Sequence, residues 1–171
     1  IFVELNESSV PFLVDALNQP DEDVVNTVVD ALTRIGPPAV EPLISVLQDE
    51  DRRLHAQSAL LGIGEPAVQP LIELLSDPNM LKVASDLLLS MGDMAFIKII
   101  DAYKEDPNKA DDFLMLLSYG LGSDDELIVD QITDILVAEG GSAVPFIIDV
   151  YKETNVHTQA IAEQALINIG E

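Results

Sequence analysis

Apolar residues in this chain recur at a helical spacing, and the recurring blocks themselves repeat. Val10, Leu13, Val14 and Leu17 fall at i, i+3, i+4 and i+7, as do Val40, Leu43, Ile44, Leu47 and then Val68, Leu71, Ile72, Leu75. Phe96, Ile99, Ile100, Tyr103 and Val144, Ile147, Ile148, Tyr151 carry the spacing further along. A helix turns once in about 3.6 residues, so each set lines one stripe of one helix. We call this the A helix of its unit and expect it to run about eleven residues. After a short acidic or polar turn comes a second stripe, clearest at Val24, Val25, Val28, Ala31, Leu32 and Ile35, which predicts a partner helix, B.

Glycines give the register. Gly36, Gly64 and Gly92 lie 28 residues apart, and Gly140 and Gly170 follow. Each ends an apolar stretch, where a chain leaving a helix needs a residue tolerant of positive φ. Asn6 holds the matching place before the first stripe and tolerates the same conformation. By that register Ile1, Phe2 and Leu5 close an earlier helix, and the chain is expected to be a fragment of a longer array. Ser142 is expected as the N-cap ahead of Pro145, and Ser8 or Ser9 ahead of Pro11. Pro42 and Pro70 sit deeper and are expected to bend the first turn. The turns NQPDED, QDED, SDPN, EDPN and ETNV offer Asp or Asn to cap each B helix and complement its positive end.

The register predicts hairpin units over about 7–35, 36–63, 64–91, 92–120 and 140–170, with an odd helix at 124–139. That odd segment, LGSDDELIVDQITDILVAEG, aligns with Asp21 to Gly36 at a constant offset of 104, placing Ile128 over Val24, Ile132 over Val28 and Leu136 over Leu32. It reads as a B helix without an A partner, leaving either a packing defect or a displaced surface for contact. The YGLGS stretch before it reads as a helix stop and hinge. It lacks Lys and runs into Asp124, Asp125 and Glu126, which would repel a phosphate.

The units resemble HEAT repeats, in particular the short class of about thirty residues found in phycobilin-lyase-like proteins. The stretches that carry the resemblance are the proline-led A helices from Pro38 to Leu47 and Pro66 to Leu75, and the B-helix ends from Ala31 to Gly36 and Ala165 to Gly170. It implies an all-α fold, a right-handed α-α superhelix of about eleven helices in one array over 1–171. The arginines of the short class are approximated here only by Arg52 and Arg53. The His-Glu pairs of the metal-dependent hydroxylase branch are missing, since Ala56 follows His55 and Thr158 follows His157.

Composition narrows the function classes. There are 31 acidic residues against 8 basic ones, a formal net charge of −23. No basic stripe exists to neutralise phosphates, so nucleic acid and anionic membranes are poor partners, and a basic protein or peptide fits better. Hydrophobic residues make up 48% of the chain but aromatics only 5%, so Leu, Ile, Val and Ala must build the core. The chain has no Cys, hence no disulfide framework, and no apolar run long enough for a membrane span. A soluble, cytoplasmic protein is the expectation.

The sharpest functional candidate is one B-helix position, six residues before each stop glycine: Asp30, Ser58, Asp86, Asp134 and Gln164. In a stacked array these residues would form a ladder, with Asn26, Thr27, His55, Lys82 and Asp130 as neighbours. The row reads either as an acidic groove for a basic segment or as the wet side of amphipathic helices. The two histidines, about 100 residues apart, do not make a metal site, and the acidic runs match no calcium loop. No cofactor and no catalytic residue is implied. Tyr103, Tyr119 and Tyr151 read as core packing, although a flat ligand would also use them. The expected function is therefore a non-enzymatic protein-interaction scaffold. The alternatives are a phycobilin-lyase-like chromophore-handling protein or a structural segment of a larger enzyme or regulator. Nothing in the sequence specifies an oligomeric state.

Overall fold

The structure, a computed structural model, describes residues 7–106 and 110–170. Among them the chain forms eleven α-helices and no strand: α1 (Val10–Asp15), α2 (Glu22–Ile35), α3 (Val40–Ser45), α4 (Arg53–Ile63), α5 (Glu65–Glu73), α6 (Leu81–Met91), α7 (Asp93–Glu105), α8 (Ala110–Tyr119), α9 (Glu126–Glu139), α10 (Val144–Glu153) and α11 (Val156–Gly170). The fold is all-α, and each predicted A, B or odd helix has its counterpart. Asn6, Ile1, Phe2, Leu5 and the Pro107–Asn108 part of the EDPN turn lie outside the described residues.

Local chemistry sets the boundaries. Gly36, Gly64, Gly92 and Gly140 take φ between 59° and 75°, the left-handed region in which a side chain would be strained. Gly120 and Gly170 do not, so two of the expected stops work differently. Asp21 caps α2 by accepting from the amides of Asp23 and Val24 at 3.0 and 3.3 Å, and Asp125 caps α9 through the Leu127 amide at 2.9 Å. Asn155 does the same for α11, accepting from His157 and Thr158 at 3.0 and 3.1 Å. Each such cap contributes about 1 kcal/mol. Ser142 does not cap: Gly140–Ser142 form a 3-10 turn and Ala143 takes the N-cap place of α10. The A helices α1 and α3 have only six α-helical residues each, shorter than expected, because their ends tighten into 3-10 turns or bends.

The chain divides into two compact units, Ile1–Ser90 and Met91–Glu171, where the sequence suggested one array. In the first, α1 packs on α3, α3 on α5 and α2 on α4, in addition to the α1–α2 and α3–α4 hairpins. A and B helices thus keep to separate layers, with Leu17, Leu32, Leu43, Leu47, Leu60 and Leu71 fully buried between them. Each contributes about 1.5–3 kcal/mol by leaving water. The turn into α4 is held by Arg52, whose guanidinium donates to Asp49 at 2.7 and 2.9 Å and reaches Asp15 at the end of α1 at 3.3 Å. That hydrogen bond holds the Asp49 carboxyl below its usual range and raises the Arg52 guanidinium.

In the second unit α8 is the central helix. It packs on α7, α9 and α10, and Leu114, Leu116, Leu117 and Ser118 are wholly buried. The odd helix α9 leaves neither a defect nor a displaced end. It packs on α7 and α11, while α10 packs on α8. At one end Ser123 donates to Asp93 at 2.7 Å, and at the other Tyr103 donates to Glu139 at 2.6 Å, so α7 and α9 run side by side in the same direction. Tyr119 of α8 likewise reaches Glu153 of α10 at 3.0 Å. Within this unit each layer mixes the sequence types: B-type α9 and α11 stack with A-type α7, and A-type α10 stacks with B-type α8.

A second departure lies on α10. There the expected core stripe is broken, with Ile148 and Tyr151 37% and 40% exposed while Ile147 and Val150 are wholly buried. The helix packs on α8 and α11, which leave that part of its surface open to water. YGLGS is no hinge either, because Gly120–Gly122 form a 3-10 turn, with Gly120 and Leu121 buried, that packs against α9 and α11.

Gly120 is required for close approach rather than for φ. A methyl group there would collide with Ile132 of α9 and meet the Phe96 ring of α7 at 3.1 Å. Both side chains are buried, Ile132 wholly so. Gly120→Ala is therefore expected to lower the stability of the second unit by about 1–3 kcal/mol. Gly141→Ala, where a methyl group meets nothing within 4 Å, should stay within about 0.5 kcal/mol of the parent. Urea midpoints compare the two, and equal midpoints would refute the close-packing account.

Candidate functional site

All five residues of the expected row are solvent-exposed: Asp30 on α2, Ser58 on α4, Asp86 on α6, Asp134 on α9 and Gln164 on α11. Asn26, Thr27, Lys82 and Asp130 are exposed as well, and His55 is half-buried. The residues that follow face inward, among them Leu32, Leu60, Leu88, Leu136 and Ala165. This is the arrangement that the amphipathic pattern requires.

The row is less uniform than its spacing suggests. In the first unit a methyl group on Gly62 would meet the Thr33 side chain at 2.8 Å, so α2 and α4 approach closely and bring Asp30 and Ser58 onto neighbouring helices. Ser58, however, turns its hydroxyl back to the Leu54 carbonyl at 3.0 Å, and Lys82 neutralises Asp86 within α6 at 2.9 Å. The exposed acidity of this row is thin. In the second unit the equivalent residue on α8 is Leu114, wholly buried, because α8 has helices on three sides. Asp134 and Gln164 therefore stand in the layer of α7, away from the layer of the B helix α8.

Carboxylates instead concentrate along α9. No Lys or Arg occurs between Lys109 and Lys152, a stretch that contains Asp124, Asp125, Glu126, Asp130, Asp134, Glu139 and Asp149. Asp125 is engaged as a cap, and Glu139 accepts the Tyr103 hydroxyl. Lys104 reaches α9 but donates to the amide of Gln131 at 2.7 Å, not to a carboxylate. Asp130 and Gln164, two of the expected residues, meet across a groove between α9 and α11 that Val129, Thr133, His157, Ala160 and Ile161 also line. The groove holds about 350 Å³ and opens towards Ser123, Asp124 and Glu126 at the α9 start. In the sequence Asp124 and Glu126 stand out only as carboxylates that would repel a phosphate, and His157 only as a histidine too far from His55 to share a metal, so neither marks this groove. The long stretch without a cation was the signal that pointed here.

The other candidates resolve into structure. Arg53 donates to the Leu47 carbonyl at 2.8 Å and Arg52 is committed to Asp49 and Asp15, so the only arginine pair closes a turn. The His55 Nδ1 atom is buried without a hydrogen-bond partner. Among the described residues no group of three or more His, Cys, Asp or Glu could hold a metal ion. Nor is any single helix there long and apolar enough to cross a membrane.

The chain matches no protein-family model and no curated protein.

The tyrosines of α7 and α8 brace one helix against the next-but-one. The hydrogen bond to Glu139, assisted by burial and the carboxylate's charge, pushes the Tyr103 phenol up to about 12. Tyr119 is raised by its bond to Glu153. The Tyr103 contact stabilises the fold fully below the ordinary phenol value near 10 and is lost as pH rises through about 12. In an alkaline titration followed by tyrosinate absorbance, Tyr103→Phe is expected to remove the phase that ionises last. Loss of an earlier phase instead would show that the phenol is not held by Glu139.

Proposed function

We propose that the chain is a HEAT-like helical-repeat scaffold, without enzymatic activity, that holds a basic protein or peptide segment against its exposed carboxylates. The single observation that carries this reading is the acidic surface of α9: Asp124, Glu126, Asp130 and Asp134 are exposed on or just before one helix, in a stretch without lysine or arginine. Carboxylates gathered on a packed, well-capped helix hold their positions and present a field to approaching cations. A right-handed superhelical path for the repeats and a cytoplasmic location belong to the proposal. The chromophore-handling alternative gains no support, because Arg52 and Arg53 are consumed by the α3–α4 turn.

Electrostatic capture must weaken as salt shortens the Debye length from about 10 Å at 0.1 M to about 3 Å at 1 M. The expected outcome of a pull-down from source lysate is a stoichiometric basic protein that is retained at low salt and lost at high salt. It should also be lost when Asp130→Lys and Asp134→Lys are combined. A partner that binds equally well at both salt concentrations, and equally well to the double variant, would refute the acidic-scaffold reading.

A further inference from the structure

The groove between α9 and α11 has more than charge. Its lining includes the apolar side chains of Val129, Ala160 and Ile161, and its two lobes share Val129, Asp130, His157 and Ile161, so they form one continuous depression. Carboxylates stand along one side only, at Asp124, Glu126 and Asp130, while Thr133 and Gln164 make the other end neutral and polar. Its lobe beside Thr133 and Gln164, at about 350 Å³, lies at the lower end of the roughly 300–1,000 Å³ range of ligand pockets. It is open along its length, which suits one or two side chains of a docked segment better than an enclosed cofactor.

The groove exists because of the layer exchange. Since α9 occupies the layer of α7, its neighbour on the other side is α11, and the two helix starts lie together around the Gly120–Gly122 turn, where Gly122 faces Thr158. Helix starts carry partial positive charge, which by itself would favour an anion. Here Asp125 and Asn155 already engage the first amides, and three further carboxylates outweigh what remains. A phosphate or an acidic peptide is therefore disfavoured at this place. A divalent cation is also a poor fit, because no cluster of three or more metal-ligating groups converges here.

We propose that the α9–α11 groove is a docking site for a protein segment that presents an aliphatic side chain next to a lysine or arginine. The aliphatic group covers Val129, Ala160 and Ile161, and the neighbouring cation lies against Asp124, Glu126 and Asp130. This inference rests on the acidic-scaffold reading and adds to it a defined place and an apolar requirement, which charge alone would not impose.

The test uses the whole chain and two synthetic peptides of equal charge, one alternating lysine with leucine and the other alternating lysine with glycine. Binding is followed by amide chemical shifts in low salt. The leucine peptide is expected to bind at least about tenfold more tightly, the factor that burial of one aliphatic side chain supplies. Its shifts should cluster at Val129, Thr133 and Ile161. Ala160→Trp, which fills the groove from an exposed position, should abolish the leucine preference and leave the weaker glycine peptide unchanged. Equal affinity for the two peptides, or leucine-peptide shifts spread over α2 and α4, would overturn the docking site. Salt-sensitive binding of both peptides would in that case leave the scaffold reading standing. If neither peptide bound at low salt, both readings would fall together.

Discussion

Within each unit, contact between a helix and the one two places further along, as in α1–α3, α2–α4, α3–α5, α7–α9, α8–α10 and α9–α11, is the interaction on which the fold depends. A single hairpin exposes much of the apolar stripe of both its helices, and burial of that stripe is the main favourable contribution available to a chain with few aromatics. The next hairpin supplies the missing cover. Leu43 and Leu71, on the A helices α3 and α5, illustrate this in the first unit, and Leu114 and Ile132 do so in the second. Side-chain hydrogen bonds run between the same partners, from Tyr103 to Glu139 and from Tyr119 to Glu153, and add direction to a contact that apolar burial leaves indifferent to register.

The same constraint accounts for the odd helix. A helix inserted without a partner could stand apart and expose its stripe, or it could take the next vacant place in the alternating stack and push every later helix into the opposite layer. Exposure of Ile128, Ile132, Ile135 and Leu136 together would be far more costly than a change of layer. The change requires only that α9 can approach α7 closely, which the missing side chain of Gly120 permits, and that the connecting turn be covered, as the buried Leu121 shows.

Function follows from where that exchange leaves the charge. A carboxylate paired in its own helix, such as Asp86 with Lys82, offers little to a partner, since exposed pairs of this kind are weak and satisfy one another. The carboxylates of α9 have no such nearby lysine or arginine in sequence, and the neighbouring α11 provides an apolar wall instead of cations. Charge for attraction and apolar surface for retention occur together at this place, and recognition sites commonly combine the two.

Much of this was legible in the residues. The order and type of all eleven helices, the caps at Asp21, Asp125 and Asn155 and the left-handed glycines at 36, 64, 92 and 140 are local properties, set by spacing within one turn or by one residue's conformational freedom. The outward position of Asp30, Asp86 and Asp134 was legible for the same reason, because a polar side chain beside two apolar ones on a helix has only one favourable direction. The layer of α9, the buried place of Leu114 in a row otherwise exposed, the partly bare stripe of α10 and the groove shared by Asp130, His157 and Ile161 were decided by tertiary structure alone. Each depends on which helix becomes the neighbour two places away. That is a competition between whole packed faces, and no periodicity within a single helix records its outcome.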